Sequence, residues 1–333
     1  MSHDLDDSTG NPAMAYVGNE PWHKLGQQLP AGQQIEKWVE AARLNWQIQM
    51  LPVHYQSQGR MQIMPERFVL VRDDTSAALS IVSANYQVVQ PKEVLEFYRN
   101  LVEERGYTLE TAGALDGGRK VWALAKTGLV KDVASNPADK LGAYVLLATS
   151  CDKSLATTAT FTSVRVVCQN TLGFAFTDMK QQQRRHIKID HMKRFDPTTV
   201  QEELGLIDKA WDRFMEQVNP MANYPLKNGA AVKFIESLFL TDKEIEEGKP
   251  PANARHNEVN QIASLFSTQG HDLATAKETL WGALNAVTHY VDHVRSTKAV
   301  ERIDSAWFGT GAALKEKAWQ RAMNLIEKES QGK

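Results

Sequence analysis

The chain has 333 residues, 42% apolar and 23% charged, which excludes a disordered, collagen-like or low-complexity polymer and allows about two domains, or one large domain with a helical addition. Lys and Arg total 38 against 40 for Asp and Glu, a formal charge of -2, so a nucleic-acid partner has to be argued from local clusters. Cys151 and Cys168 are too few for a disulfide framework and are not spaced as a zinc site, and no apolar run approaches the roughly 18 residues of a membrane span, so a reducing, cytoplasmic setting is expected.

Residues 1 to 20 contain Asp4, Asp6, Asp7 and Glu20 and no Lys or Arg, which reads as a disordered acidic tail without the basic and apolar regions of a signal peptide. MLPVHYQ, RMQIM and RFVLVRDD follow as three short strands of a meander. Pro91 opens a helix through Val94, Leu95, Phe97, Tyr98, Leu101 and Val102, and Gly106 stops it. YTLETAG and RKVWALAKTG flank an Asp116-Gly117 hairpin turn. A second hairpin turns at Asp152-Lys153, with Phe161, Ser163 and Arg165 on one sheet face. The order predicts an α+β core, an antiparallel sheet with a packed helix, over residues 21–178.

A basic connector, residues 179–197, leads to a helical region, residues 198–333. There Val200, Leu204, Ile207, Trp211, Phe214 and Val218 form a narrow apolar seam that fits a partner helix, within the monomer or between subunits. Further helices are expected over 229–240, 254–267, 272–295 and 311–328, with Thr241 and Glu244 placed for a capping box.

The densest basic stretch is KQQQRRHIKIDHMKR, where Arg184, Arg185, Lys188, Lys193 and Arg194 meet one acid, Asp190; such a run neutralises phosphates or serves as a solvated connector. Arg119 and Lys120 at a strand start, Lys153 in a turn and Arg165 on a sheet face would line a cationic groove. Trp122, Tyr144 and Phe161 beside it would stack bases, unless these aromatics are core. His289 and His293 stand one helical turn apart with Asp292 between them, a spacing two metal ligands can use, but Tyr290 occupies the place of a zincin's glutamate and no third ligand is evident. Cys151, in TSCDKS, lacks a nucleophile signature, and GALDGGRK and GTGAAL match neither phosphate-binding glycine motif. Neither a catalytic residue nor a cofactor is assigned.

NYQVVQPKEVLEFYRNLVE (85–103), LETAGALDGGRKVWALAK (109–126), LLATSCDKSLATTATFTSVRVVCQNTL (146–172) and WGALNAVTHYVDH (281–293) together resemble the phage and plasmid-like protein family, also called domain of unknown function 932. The resemblance runs from about Trp22 to the closing SAWFGTGAALKEKAW (305–319), and implies a mobile-element protein in a bacterial host without supplying catalytic residues. The succession of strands, helix and hairpins before a helical region is similar, more loosely, to phage single-strand annealing proteins of the Red beta class, which work without ATP as rings or helical filaments.

The expected function is ATP-independent binding and annealing of single-stranded DNA in recombination, with a second copy of the chain as partner. A phage exonuclease or a host single-strand-binding protein would be further partners; no membrane is called for. The alternatives are an accessory protein that binds a host protein to counter a defence system, and a metal-dependent nuclease built on His289, Asp292 and His293.

Overall fold

The computed structural model describes residues 5–21, 24–165, 171–173, 186–189, 207–268, 275–295, 302–307 and 309–331. It is an α+β protein with mainly antiparallel sheets and a helical C-terminal region. In chain order the strands are β1 Met14–Val17, β2 Gln27–Leu29, β3 Ile48–Ser57, β4 Arg60–Arg72, β5 Ala78–Ser83, β6 Thr108–Leu115, β7 Lys120–Val133, β8 Asn136–Ser150, β9 Thr157–Arg165, β10 Thr171–Gly173 and β11 His186–Ile189. The larger sheet runs β10-β9-β8-β7-β6-β1-β2, with β11 also paired to β9; the smaller runs β3-β4-β5.

The chain forms two compact units, and neither is a single stretch of sequence. One comprises Met1–Gly128, Tyr144–Phe161 and Phe176–Gly205; the other comprises Leu129–Ala143, Thr162–Ala175 and Leu206–Lys333. The expected boundaries at 178 and 198 therefore do not mark the division. The cause is the long β7–β8 hairpin, whose tip belongs to the second unit. Its two-residue turn, Ala134-Ser135, has positive φ at both positions, as a type I′ turn requires, yet carries neither the Asn nor the Gly that usually announces one. The Asn219 side chain accepts from the Ala134 amide at 2.9 Å and holds the turn in place.

In the first unit, residues 5–20 of the segment expected to be a disordered tail are part of the fold. Leu5 bridges to Leu115, and β1 pairs antiparallel with β6 and parallel with β2. Asp6 is buried because it meets Arg72, itself only 1% exposed, at 2.5 Å. Arg72 also donates two bonds to Asp74, at 2.9 and 2.8 Å, and one to the Gly117 carbonyl at 3.1 Å, and its guanidinium lies 4.1 Å from the Trp46 ring centre. These bonds hold the Asp74 carboxyl below its usual range. Gly118 is confined here: at φ +90, a Cβ would lie 2.8 Å from both Arg72 and Trp46.

RMQIM and RFVLV, expected as two strands, are the single strand β4, with a register shift opposite Pro52 to His54; the third strand is β5. The expected helix after Pro91 is two, α2 Pro91–Glu96 and α3 Arg99–Arg105, following α1 Ile35–Ala41. The break falls at Phe97-Tyr98, where the fully buried Tyr98 hydroxyl donates to the Ala123 and Val145 carbonyls (2.7 and 3.0 Å) and accepts from the Leu147 amide (2.8 Å). One side chain thus pins the helices to two central strands. Pro91 stands at the α2 N-terminus and Gly106, at φ 69, ends α3, as the sequence suggests.

In the second unit the seam residues Trp211, Phe214 and Val218 are buried by the chain's own helices. Trp211 stacks on Phe214 (5.4 Å between ring centres) and Phe214 on Trp319 (5.5 Å), between helices Ile207–Asn223 and Thr310–Gln331. This part of the seam is therefore not available to another subunit; Val200 and Leu204 lie outside the described residues. The Thr241–Glu244 capping box is present. The helix expected from 272 begins at Leu280, where Thr279 accepts from the Gly282 amide at 3.0 Å, and runs to His289 before a π-helical segment, Tyr290–Val294. Gly282 is required there, since a Cβ would sit 1.8 Å from the Ala276 carbonyl.

Removing one partner of a buried ion pair is costly because the other charge stays desolvated. Asp6→Ala is expected to lower unfolding stability by about 3 kcal/mol, whereas Asp7→Ala, one residue on and exposed, should fall within about 0.5 kcal/mol of the wild type. Urea titrations of the two variants check both values.

Candidate nucleic-acid interface

Arg119, Lys120 and Lys153 are brought together in the first unit. Arg119 follows the three-residue turn Asp116–Gly118 and Lys120 opens β7. Lys153, at φ 68, sits in the turn before β9, where Asp152 accepts from the Ser154 amide and hydroxyl at 2.9 and 2.6 Å. The Cys151 amide donates to the Arg119 carbonyl at 2.9 Å and joins the two turns.

Two of these cations already have structural work. The Arg119 guanidinium donates to the Leu79 carbonyl at 3.0 Å and to Asp116 at 3.1 Å; Lys153 donates to the Ile81 carbonyl at 3.0 Å. Both carbonyls belong to β5, an outer strand of the smaller sheet, so the cations satisfy backbone acceptors that an edge strand would otherwise expose. Asp116 and Asp152 temper the local positive charge. Burial acts to raise Asp152, but the bonds from Ser154 outweigh it and hold this carboxyl below its usual range.

The aromatic residues expected to stack bases do not do so in this structure: Trp122, Tyr144 and Phe161 are all buried. Residues Val121 to Ala125 are buried without alternation, as are Tyr144 to Ser150, so these strands have both faces covered and the aromatics fill the core. Burial, together with a hydrogen bond to Glu110, pushes the Tyr144 phenol well above its usual range.

The basic stretch is more than a connector. Its centre is β11, which pairs antiparallel with β9 in the register His186↔Thr160, Ile187↔Ala159, Lys188↔Thr158 and Ile189↔Thr157. Ile189, the last residue of β11, pairs with Thr157, four residues beyond Lys153, so this is the end of β11 nearer the Lys153 turn. Sequence spacing missed this pairing because its partners lie 26 to 32 positions apart in the chain, from His186 with Thr160 to Ile189 with Thr157. Arg184, Arg185, Lys193 and Arg194 lie outside the described residues; Arg165 and Lys188 are described as strand positions in β9 and β11.

The groups weighed for catalysis are bound into the fold. Burial, reinforced by Asp152, pushes the Cys151 thiol up to about 12, which keeps it protonated at neutral pH. Asp292 pairs with Lys315 at 2.8 Å, both side chains buried, an interhelical partner that the local sequence does not reveal. The His289 and His293 ring centres are 4.6 Å apart. Among the described residues no group of three or more His, Cys, Asp or Glu side chains is disposed to hold a metal ion, and no helix is long and apolar enough to cross a membrane.

An α+β protein with mainly antiparallel sheets and a helical C-terminal region is the class that the fold defines. Residues 78–307 match the family model described as domain of unknown function (DUF932), and the chain belongs to that family. The match begins at the first residue of β5 and leaves the β3–β4 hairpin outside it. No curated protein and no solved structure matches the chain.

Burial pushes His289 down to about 4 from an ordinary 6.5, with His293 acting in the same direction and Asp292 against it. Between those values the unfolded chain takes up a proton that the folded chain refuses, so stability present above about pH 6.5 is lost as pH falls towards 4. His289→Gln is expected to flatten this part of the pH–stability profile, measured by thermal melts at constant ionic strength.

Proposed function

We propose that this protein binds single-stranded DNA through its phosphates and promotes annealing of complementary strands without ATP, as a recombination protein of a phage or plasmid. The observation that supports this reading is the β9–β11 pairing, which draws the centre of the basic stretch, His186–Ile189, onto the strand that follows the Lys153 turn, Arg119 being joined to that turn through the Cys151 amide.

The buried aromatics alter the mechanism first expected. With Trp122, Tyr144 and Phe161 in the core, contact through phosphates is the mode these cations favour, and it leaves base edges free to pair. Because Arg119 and Lys153 are tied to β5 and tempered by Asp116 and Asp152, most of the electrostatic attraction falls to Arg184, Arg185 and their neighbours. The annealing step and the self-association that goes with it are carried by analogy alone, from the loose resemblance of the predicted element order to phage single-strand annealing proteins.

Each phosphate neutralised on a single strand contributes about -0.7 to the slope of log affinity against log salt. Arg184→Glu with Arg185→Glu should therefore make that slope shallower by about 1.4, weaken oligonucleotide binding and slow annealing. Fluorescent complementary oligonucleotides, followed across a salt series in EDTA without ATP, give all three readings. Wild-type protein that shows no binding at low salt would overturn the proposal and direct attention to a host protein partner.

A further inference from the structure

One edge of the smaller sheet is held shut by side chains that the functional reading also needs. β5 ends that sheet, and its Leu79 and Ile81 carbonyls accept from Arg119 Nε and Lys153 Nζ, each at 3.0 Å. Alternate residues of an antiparallel strand turn their N–H and C=O to the same side. Leu79 and Ile81, with one residue between them, are therefore outward positions, and Ser80 and Val82 carry the ladder to β4. Only two long side chains form the plug, because the backbone behind them is fastened separately. The Cys151 amide donates to the Arg119 carbonyl at 2.9 Å, and the Ser80 hydroxyl donates to the Cys151 carbonyl at 2.5 Å. The Arg119 side chain is 37% exposed and Lys153 is exposed, so both can swing into solvent while β5 and the two turns stay in place.

The strand under the plug is one that invites pairing. No side chain is charged over residues 75–91, and residues 77–83 contain neither Pro nor Gly. Short uncharged segments of this kind pair with copies of themselves when an edge leaves them open. The other edge of the same sheet refuses a strand. There the Gln90 side-chain amide donates to the Ile48 carbonyl at 3.0 Å and its oxygen accepts from the Ile48 amide at 2.8 Å. Further along, Pro52, at the same alternation as Ile48, has no amide to offer. A second copy thus cannot lay its β3 against β5, which leaves β5 against β5 across a twofold axis, Leu79 of one copy opposite Ile81 of the other. The plug excludes that arrangement, since each cation sits on a carbonyl that the incoming amide would need.

We propose that Arg119 and Lys153 are an autoinhibitory cap: drawn off by nucleic-acid phosphates, they open β5 to antiparallel pairing with β5 of a second copy. A phosphate oxygen carries a full charge where the carbonyl offers a dipole, and a bond between two ions is the stronger. Asp116, which accepts from Arg119 at 3.1 Å, is the remaining tie to be exchanged. The cap couples assembly to a bound strand. Its trigger rests on the proposed DNA binding, whereas the cap itself is tested without DNA.

Light scattering of the full chain without DNA compares wild type with the double variant Arg119→Ala, Lys153→Ala. The double variant should have at least about twice the wild-type mass, and adding Ile81→Pro should restore the wild-type value. Proline removes only an outward N–H at this position. Should a thermal melt show that it disturbs the fold, Ile81→Lys, at a residue 55% exposed, sets a charge on the opened edge and should give the same reversal. Wild type should gain mass when a single-stranded oligonucleotide is added, and the Ile81→Pro protein should bind the oligonucleotide without that gain. A double variant that keeps the wild-type mass would overturn the proposal, as would growth that neither substitution at Ile81 reverses. Wild type that binds the oligonucleotide at constant mass would overturn release by phosphate. Reversible growth of the double variant, with no oligonucleotide bound by wild type, would sink the functional reading and leave the cap standing.

Discussion

A single buried guanidinium organises the first unit. Arg72 closes β4 of the smaller sheet, reaches the Gly117 carbonyl in the turn that precedes β7 of the larger one, captures Asp6 from the N-terminal segment and lies on Trp46. A charge so deeply buried is tolerable only when its donors are satisfied, so Asp6, Asp74 and the turn must all be present together. Asp6 thus acts as a counter-charge inside the fold, and Gly118 is small because the guanidinium and indole leave no space.

The same economy shapes the candidate interface. Arg119 and Lys153 cap an edge strand, and that role positions the turns against which β11 arrives. The aromatic core beneath serves to hold the strands, and Leu51, Tyr55, Met61, Ile63, Met64 and Ile81 expose apolar surface in the smaller sheet.

Local patterns in the sequence were enough for the elements whose cause is local. Pro91 and Gly106 bound the α2–α3 segment, Thr241 with Glu244 caps its helix, and the period of Trp211, Phe214 and Val218 locates a packed helical face. What could not be read depended on distant partners. Asp6 looks like part of a solvated tail until Arg72 is beside it, and Asp292 looks like a metal ligand until Lys315 is found across the helix pair. Tyr98 broke an apparently continuous helix by bonding to strand carbonyls. The aromatic stacking platform failed for a related reason: alternation identifies two faces, but Val121 to Ala125 have no wet face to choose. The Ala134-Ser135 turn carries no residue signal at all, and with it the division of the chain into interleaved units was hidden.

That interleaving bears on how the chain is made. A ribosome that has delivered residues 1–128 has supplied much of the first unit but not Tyr144–Phe161 or β11, while the next fifteen residues belong to a unit whose helices come last. Early strands must wait with their apolar rows unpaired, a state in which nascent chains are prone to wrong association. The edge-closing Gln90 and the amide-free Pro52 are synthesised before that wait begins, so the β3 edge of the smaller sheet can be shielded against strand addition from neighbouring nascent chains, while the Ile81 carbonyl on the β5 edge waits for Lys153.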